Sequence, residues 1–268
     1  MRTGLLRGRD HLQLGAVATL AERRTAIALS RGGAAKTYEH QDPNEDACAF
    51  AWTEHAWLIA VADGHWGSGG AELALDRLLE RHAPRWLSPG AIALAERWFL
   101  EAPDVVQDLH RAMLAGGDAE QIAGRTTLAL ALVRPRERWW SALLVGDSHV
   151  FTAEGARARE WAPASPDEVV FVGDARLDRA AIARGVRCVL EQGLPDAIVL
   201  ASDGLSEAGI GVTQPARAVA ESVAAARAEA ADLRPLATAR GLAERALEAQ
   251  RQNGAGDNVA TACAWLAD

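Results

Sequence analysis

Val61-Ala62-Asp63-Gly64-His65-Trp66-Gly67 is the stretch on which the reading of this chain turns. The apolar run Ala56–Ala62 leads into it and reads as a buried strand ending in a carboxylate, a glycine and a histidine. A helical pattern, Ala71–His82, follows. An Asp at a strand end points into a crevice, where ligands bind. Gly64 lets the backbone come close, so its carbonyl can reach an ion, and His65 is the residue type that exchanges protons near neutral pH. Taken alone, Asp-Gly is ordinary turn chemistry. The stretch gains weight from further acidic elements of the same design.

Upstream, Leu12–Ala18 and Thr25–Ser30 read as strands around the polar turn Glu22-Arg23-Arg24, after a loose lead-in over residues 1–11. A loop over 31–41 leads to Asn44-Glu45-Asp46. The strand Ala47–Trp52 then pairs back on Ala56–Ala62 as a hairpin. Downstream, Ala91–Leu100 and Asp104–Leu114 read as two helices, with Asp104 an N-cap. His82 and His110 in these helices read as surface or packing residues.

The pattern changes after Gly116-Gly117. Thr126–Val133, Trp139–Val145, Ser148–Thr152, Glu168–Val172, Arg187–Leu190 and Ala197–Ala201 read as strands. Helices over Ala216–Ala230 and Asp232–Gln250 follow, with Pro235 in the first turn of the second, and then a last strand, Val259–Leu266. This order lacks the regular βαβα alternation of a doubly wound sheet. It predicts two mostly antiparallel sheets with helices outside them. Residues 1–24 are expected as a lead-in with the first strand, and 25–268 as one domain.

About half of the 268 residues are hydrophobic, ample for a core, and the net charge is −8. That charge disfavours nonspecific nucleic-acid binding, which needs a basic surface. Lys36 is the only lysine. Cys48, Cys188 and Cys263 are widely spaced, odd in number and set in apolar runs, as reduced buried thiols of a cytoplasmic protein would be. The run Leu12–Ala21 is too short and too polar for a membrane span or a secretory signal.

Carboxylates recur at strand ends. Glu45-Asp46 precede a strand, and Asp63, Asp147 and Asp203 each follow one. Asp257 precedes the last. Gathered together they would repel each other and lose solvation unless a positive partner neutralises them. No lysine or arginine adjoins Asp63, Asp147, Asp203 or Asp257 in sequence. Oxygen ligands without a cysteine pair or a His-x-x-x-His pair favour Mg²⁺ or Mn²⁺ over Zn²⁺.

In this order the motifs resemble the metal-dependent Ser/Thr protein phosphatases, the protein phosphatase 2C family. Asn44-Glu45-Asp46 is similar to its first acidic motif. Asp63-Gly64-His65-Trp66-Gly67 resembles its Asp-Gly-His-Gly-Gly motif, with Trp66 in place of a Gly. Gly124-Arg125-Thr126-Thr127, Val145-Gly146-Asp147-Ser148, Ala201-Ser202-Asp203-Gly204-Leu205 and Gly256-Asp257-Asn258 match its later motifs, and the set spans roughly 25–266. The resemblance implies an α+β fold, a four-layer αββα sandwich. It also implies two Mg²⁺ or Mn²⁺ ions, with a third, weaker one. Asp63 would bridge two metals, and Asp203 and Asp257 would complete one shell. Glu45 and the Gly64 carbonyl would serve the other, and Asp147 with Asp203 the third. Asp46 would hold a water on the metals, and His65 would be the general acid.

Three departures stand out. Gln41 occupies the position of the family's phosphate-binding Arg, and Lys36 or Arg31 in the same loop are the expected substitutes, with Arg125 next. His149 replaces the Arg of Gly-Asp-Ser-Arg, and the segment bearing the family's substrate-side flap is short. The implied activity is hydrolysis of phosphoserine or phosphothreonine by metal-activated water. The implied partners are a phosphoprotein substrate and a cognate Ser/Thr kinase, with neither nucleic acid nor membrane. The alternatives are a pseudophosphatase that binds a phosphoprotein without cleaving it, and a hydrolase of a small phosphate ester.

Overall fold

The strand runs are apolar at nearly every position, so both of their faces must be covered. The computed structural model, which describes residues 1–91, 94–115, 124–165 and 169–267, covers them with a second sheet on one side and helices on the other. In chain order the strands are β1 (Arg2–Arg7), β2 (Ala18–Glu22), β3 (Thr25–Ser30), β4 (Ala47–Trp52), β5 (Trp57–Ala62), β6 (Gly64–His65) and β7 (Arg125–Thr126). They continue as β8 (Leu128–Arg134), β9 (Trp139–Val145), β10 (His149–Glu154), β11 (Arg157–Glu160), β12 (Arg187–Gln192), β13 (Ala197–Ala201) and β14 (Val259–Trp265). The helices are α1 (Gly69–Arg77), α2 (Ala83–Trp86), α3 (Leu94–Ala115), α4 (Arg179–Gly185), α5 (Pro215–Ala226) and α6 (Arg234–Asn253).

One sheet has the order β1-β4-β5-β8-β9-β12 and the other β11-β10-β13-β14-β3-β2, while β6 and β7 form a small ribbon. Every pairing within the two large sheets is antiparallel. This is the expected α+β sandwich. Side chains alternate along each strand. Cys48 and Phe50 of β4 enter the layer between the sheets with Ile27, Leu29, Ile59, Val61, Ile198 and Leu200. Ala47, Ala49 and Ala51 face Trp86, Trp98, Val106 and Leu109 on the helices. On the far side α5 and α6 cover Phe151, Val199 and Trp265.

Register places the acidic strand ends together. Ala47 opposes Ala62, and Leu128 opposes Val145. Glu45-Asp46, Asp63 and Asp147 therefore leave the same edge of the first sheet. In the second sheet Ala201 pairs with Thr261 of β14, so Asp203 and Asp257 share an edge too.

Several local expectations are corrected. Residues 1–11 are not a loose lead-in, because β1 pairs with β4 from Arg2↔Trp52 to Arg7↔Ala47. Leu12 and Leu14, expected in a strand, are exposed, and the hairpin partner of β3 begins at Ala18. The two expected helices Ala91–Leu100 and Asp104–Leu114 are one helix, α3, running through Pro103. Trp98, Ala102, Val105, Val106, Leu109 and Met113 form a single buried face, and that packing overrides the proline's cost. Asp104 is thus a mid-helix residue paired with Arg179 at 3.8 Å, not a cap.

The helix expected over Ala71–His82 passes from α1 into a π turn, Leu78–His82, before Pro84. Of the strand expected over Glu168–Val172, Val172 bridges Thr126, and Glu168 lies outside the described residues. The break read at Gly116-Gly117 also lies outside them. Cys48 and Cys263 are buried, Cys188 is half-buried, and all three are unpaired. No helix among the described residues is long and apolar enough to cross a membrane.

Two glycines give a paired test of this packing. A Cβ on Gly256 would lie 1.8 Å from the Ala34 carbonyl oxygen, whereas one on Gly241, inside α6, would meet nothing within 4 Å. Gly256→Ala should lower the melting temperature by several degrees, since overpacking costs about 1–3 kcal/mol and each is worth roughly 2–4 °C at this size. Gly241→Ala should raise it slightly, by relief of a helix-interior glycine.

Candidate metal centre

The turn Asp63–Ser68 is bracketed from three directions. Thr126 Oγ1 donates to the Asp63 carbonyl at 2.8 Å and Thr127 N–H donates at 2.9 Å, while Asp63 N–H donates to Thr127 Oγ1 at 3.1 Å. Thr127 Oγ1 is also 2.8 Å from Ser148 Oγ, which joins the turn to the Gly146-Asp147-Ser148 corner. Gly64 packs so closely that a Cβ would stand 2.3 Å from the Glu45 carbonyl oxygen. On the other side Asn258 Nδ2 donates to the carbonyls of Arg31 and Pro43, both at 3.0 Å, and its Oδ1 accepts from Glu45 N–H at 2.8 Å.

These brackets gather the carboxylates. Oxygens of Asp63, Asp147 and Asp203 lie within 4.8 Å of one another, as do those of Asp203, Glu207 and Asp257. Asp63, Asp203, Glu207 and Asp257 border a cavity of about 260 Å³ that is also lined by Lys36, Tyr38, Glu45, Gly64, His65, Trp66 and Arg125. Asp46 and Asp63 are buried, yet one oxygen of each, and one of Asp147, carries no hydrogen bond. Buried carboxylate oxygens without partners, gathered in an all-oxygen set, fit hard divalent cations. A larger cavity of about 670 Å³ borders α3, but its Glu101 and Asp108 are already paired with arginines.

A family model for protein phosphatase 2C matches residues 34–239. The chain belongs to the protein phosphatase 2C family. Solved structures of such phosphatases share the fold. The catalytic domain of PstP, in complex with two manganese ions, aligns with a TM-score of 0.60 at 18% identity, over 94% of this chain and 100% of its own. Serine/threonine phosphatase Stp1 from Staphylococcus aureus gives 0.63 at 19%, over 98% and 100%. A phosphatase 2C from Toxoplasma gondii gives 0.66 at 14%, over 98% and 99%. No curated protein matches at a significant level.

Within this fold, the expected residues Asp46, Asp63, Gly64, His65, Asp147, Asp203 and Asp257 stand at one end of the sandwich with Glu45. Glu45 is already heavily engaged. Its Oε1 accepts from the N–H groups of Gly67, Gln41 and Asp42 at 2.6, 3.1 and 3.3 Å, and its Oε2 faces Lys36 Nζ at 3.3 Å. Lys36 Nζ is also 3.5 Å from Asp257 Oδ1. Arg31 points elsewhere and donates to the Leu12 carbonyl. Arg125, paired with His65 across β6 and β7, lines the cavity and lies over the Phe171 ring.

His65 Nε2 is 3.5 Å from Asp63 Oδ2 and carries no hydrogen bond, while the Phe171 ring meets the imidazole edge-on at 4.5 Å. His149, where the family has Arg, joins Glu160 and Ser206, both at 2.7 Å. Trp66 takes φ +66°, the left-handed region that suits the family's glycine, and its side chain is exposed at the cavity rim.

Sequence reading missed Glu207, Tyr38, Phe171 and Gln250. Glu207 follows Asp203 by one helical turn, and its N–H donates to the Asp203 carbonyl at 2.7 Å, so its spacing was a usable signal. Tyr38, the only tyrosine, donates its hydroxyl to Asp257 Oδ1. Gln250 on α6 is fully buried; it accepts from Gly33 N–H at 2.7 Å and donates to the Gly204 carbonyl at 3.0 Å.

Burial, reinforced by neighbouring carboxylates, holds the protons of Asp63 and Asp203 well above the usual range. For the same reasons Asp46 is raised to about 7, with Lys36 opposing the shift, and Glu207 to about 7. An unfolded carboxyl titrates near ~4, so the folded, metal-free protein holds extra protons between about pH 4 and pH 7. Stability is therefore undiminished by these groups below ~4 and falls as pH rises toward ~7. In chelator, the melting temperature should drop across that window. Asp46→Asn should flatten the drop, raising the melting temperature near neutral pH and barely moving it near pH ~4. Parallel profiles for the two proteins would contradict this electrostatic account.

Proposed function

We propose that this protein is a metal-dependent phosphatase that hydrolyses phosphoserine and phosphothreonine in proteins. The observation that carries this is the set of orphaned buried carboxylate oxygens on Asp46, Asp63 and Asp147, with Asp63 and His65 lining one cavity. Family membership supports phosphatase chemistry. The manganese-bound relative supports a divalent metal, with Mg²⁺ and Mn²⁺ both suited to an all-oxygen set.

Asp63, Asp147, Asp203, Glu207 and Asp257 would hold the metal. When bound, it supplies a nucleophilic water at neutral pH and neutralises phosphoryl charge. Asp46, buried beside Asp63, would position and polarise that water. Arg125, which lines the cavity from β7 with Asp174 Oδ2 3.4 Å from its guanidinium, would meet the substrate phosphate, since Arg31 does not line the cavity and Lys36 faces Glu45 and Asp257. His65, a half-buried residue whose Nε2 carries no hydrogen bond, would protonate the departing serine or threonine oxygen, its ring set by Phe171. Trp66 at the rim would meet the substrate's polypeptide. The partners would be a phosphoprotein and the kinase that modifies it. Unpaired cysteines agree with a cytoplasmic setting.

The direct test is turnover of a phosphothreonine peptide with Mn²⁺, before and after chelator. Activity should vanish with chelator and in Asp203→Asn. Absence of turnover with metal bound would favour the binding-only reading.

The leaving group tests His65 separately. An alkoxide needs a proton in the transition state, and a positioned acid contributes about 10²–10⁴-fold. The phenolate of p-nitrophenyl phosphate needs little such help. His65→Ala should slow the peptide reaction by about that factor and the aryl ester far less. Equal slowing at saturating Mn²⁺ would remove His65 from the acid role.

A further inference from the structure

Lys36 is the only lysine of the chain, and its side chain is just 5% exposed. Its ammonium lies 3.3 Å from Glu45 Oε2 and 3.5 Å from Asp257 Oδ1, and 5.2 Å from the centroid of the Tyr38 ring. The main chain fixes this position independently of the side chain. Lys36 forms a parallel bridge with Gly256, the residue before Asp257, and Gly256 N–H donates to the Ala35 carbonyl at 3.0 Å. A buried lysine is thereby carried by backbone pairing to the rim of a carboxylate cluster.

Its consequence falls on Glu45. One oxygen of this carboxylate is used by three backbone N–H groups, and the other faces the ammonium. Glu45 belongs to neither group of mutually close metal-competent oxygens, whereas Asp63, Asp147, Asp203, Glu207 and Asp257 all do. A divalent ion drawn to Glu45 would have to sit against a fixed positive charge.

We propose that the Lys36 ammonium is a resident cation at the Glu45 end of the site. Divalent ions are then held by the Asp63–Asp147–Asp203 and Asp203–Glu207–Asp257 groups, and Glu45 coordinates none. This presupposes the metal-dependent reading above and departs from the ligand set that the family resemblance implies. Lys36 takes over a metal's neutralising role and leaves the phosphate contact to Arg125.

The experiment is a count of Mn²⁺ ions bound by the full chain, by calorimetry and by equilibrium dialysis, with folding checked by circular dichroism. Lys36→Met should bind one more Mn²⁺ than the unaltered protein. Glu45→Gln should leave the count unchanged while Lys36 is present, and should remove the extra ion in the Lys36→Met background. Equal counts for the unaltered and Lys36→Met proteins would overturn the proposal. So would loss of an ion from Glu45→Gln alone, an arm that decides even if Lys36→Met does not fold. Binding of no Mn²⁺ by the unaltered protein would overturn the metal-dependent function as well, whereas the other failures would leave that function standing.

Discussion

Mutual repulsion among buried and half-buried carboxylates is the constraint on which the rest of this structure depends. Glu45, Asp46, Asp63, Asp147, Asp203, Glu207 and Asp257 converge on one end of the sandwich, and several keep their protons because burial and their neighbours disfavour charge. Left to themselves they would push the strand ends apart. Besides the Lys36 ammonium at the Glu45 end, the structure answers with uncharged brackets. Thr126 and Thr127 hold the Asp63 main chain, Asn258 ties Arg31 and the Pro43–Glu45 segment to the last strand, and Gln250 locks Gly33 to Gly204. Neutral amides and hydroxyls can grip a backbone without cancelling the charge a metal site needs.

The layers make that concentration affordable in structural terms. Two sheets buried on both faces, with helices outside, are rigid enough to present loops at a fixed separation. Residues 169–178, before α4, pack beside the site. Phe171 touches both His65 and Arg125, and Gly173 N–H donates to His110 Nδ1 at 3.0 Å. His110 is thus a packing histidine of α3 that steadies the loop against which the proposed acid rests. His82 is another packing residue, 3.0 Å from Asp108, which Arg77 also holds.

Where sequence reading failed, tertiary packing prevailed over local preference. Pro103 argued for two helices, yet one continuous apolar face carries α3 through it. Arg2–Arg7 lacks a strong strand pattern, but the free edge of β4 supplies its hydrogen bonds. Trp66 sits where a glycine would be unstrained, so its φ is imposed by the surrounding turn.

The sequence by itself determined the layered class, most of the strand and helix order, and the acidic strand ends, including Asp63, Asp147, Asp203 and Asp257. Those features are written in local periodicity and in short motifs, which depend only on neighbouring residues. Only the tertiary structure decided which groups meet. Lys36 stands beside Asp257, Tyr38 reaches the same carboxylate, and Phe171 lies between His65 and Arg125. Each contact joins residues far apart in the chain, and no local pattern encodes it. Sheet register and loop closure set the separation, and so determine whether a lysine becomes a phosphate ligand or a counter-ion of the acids.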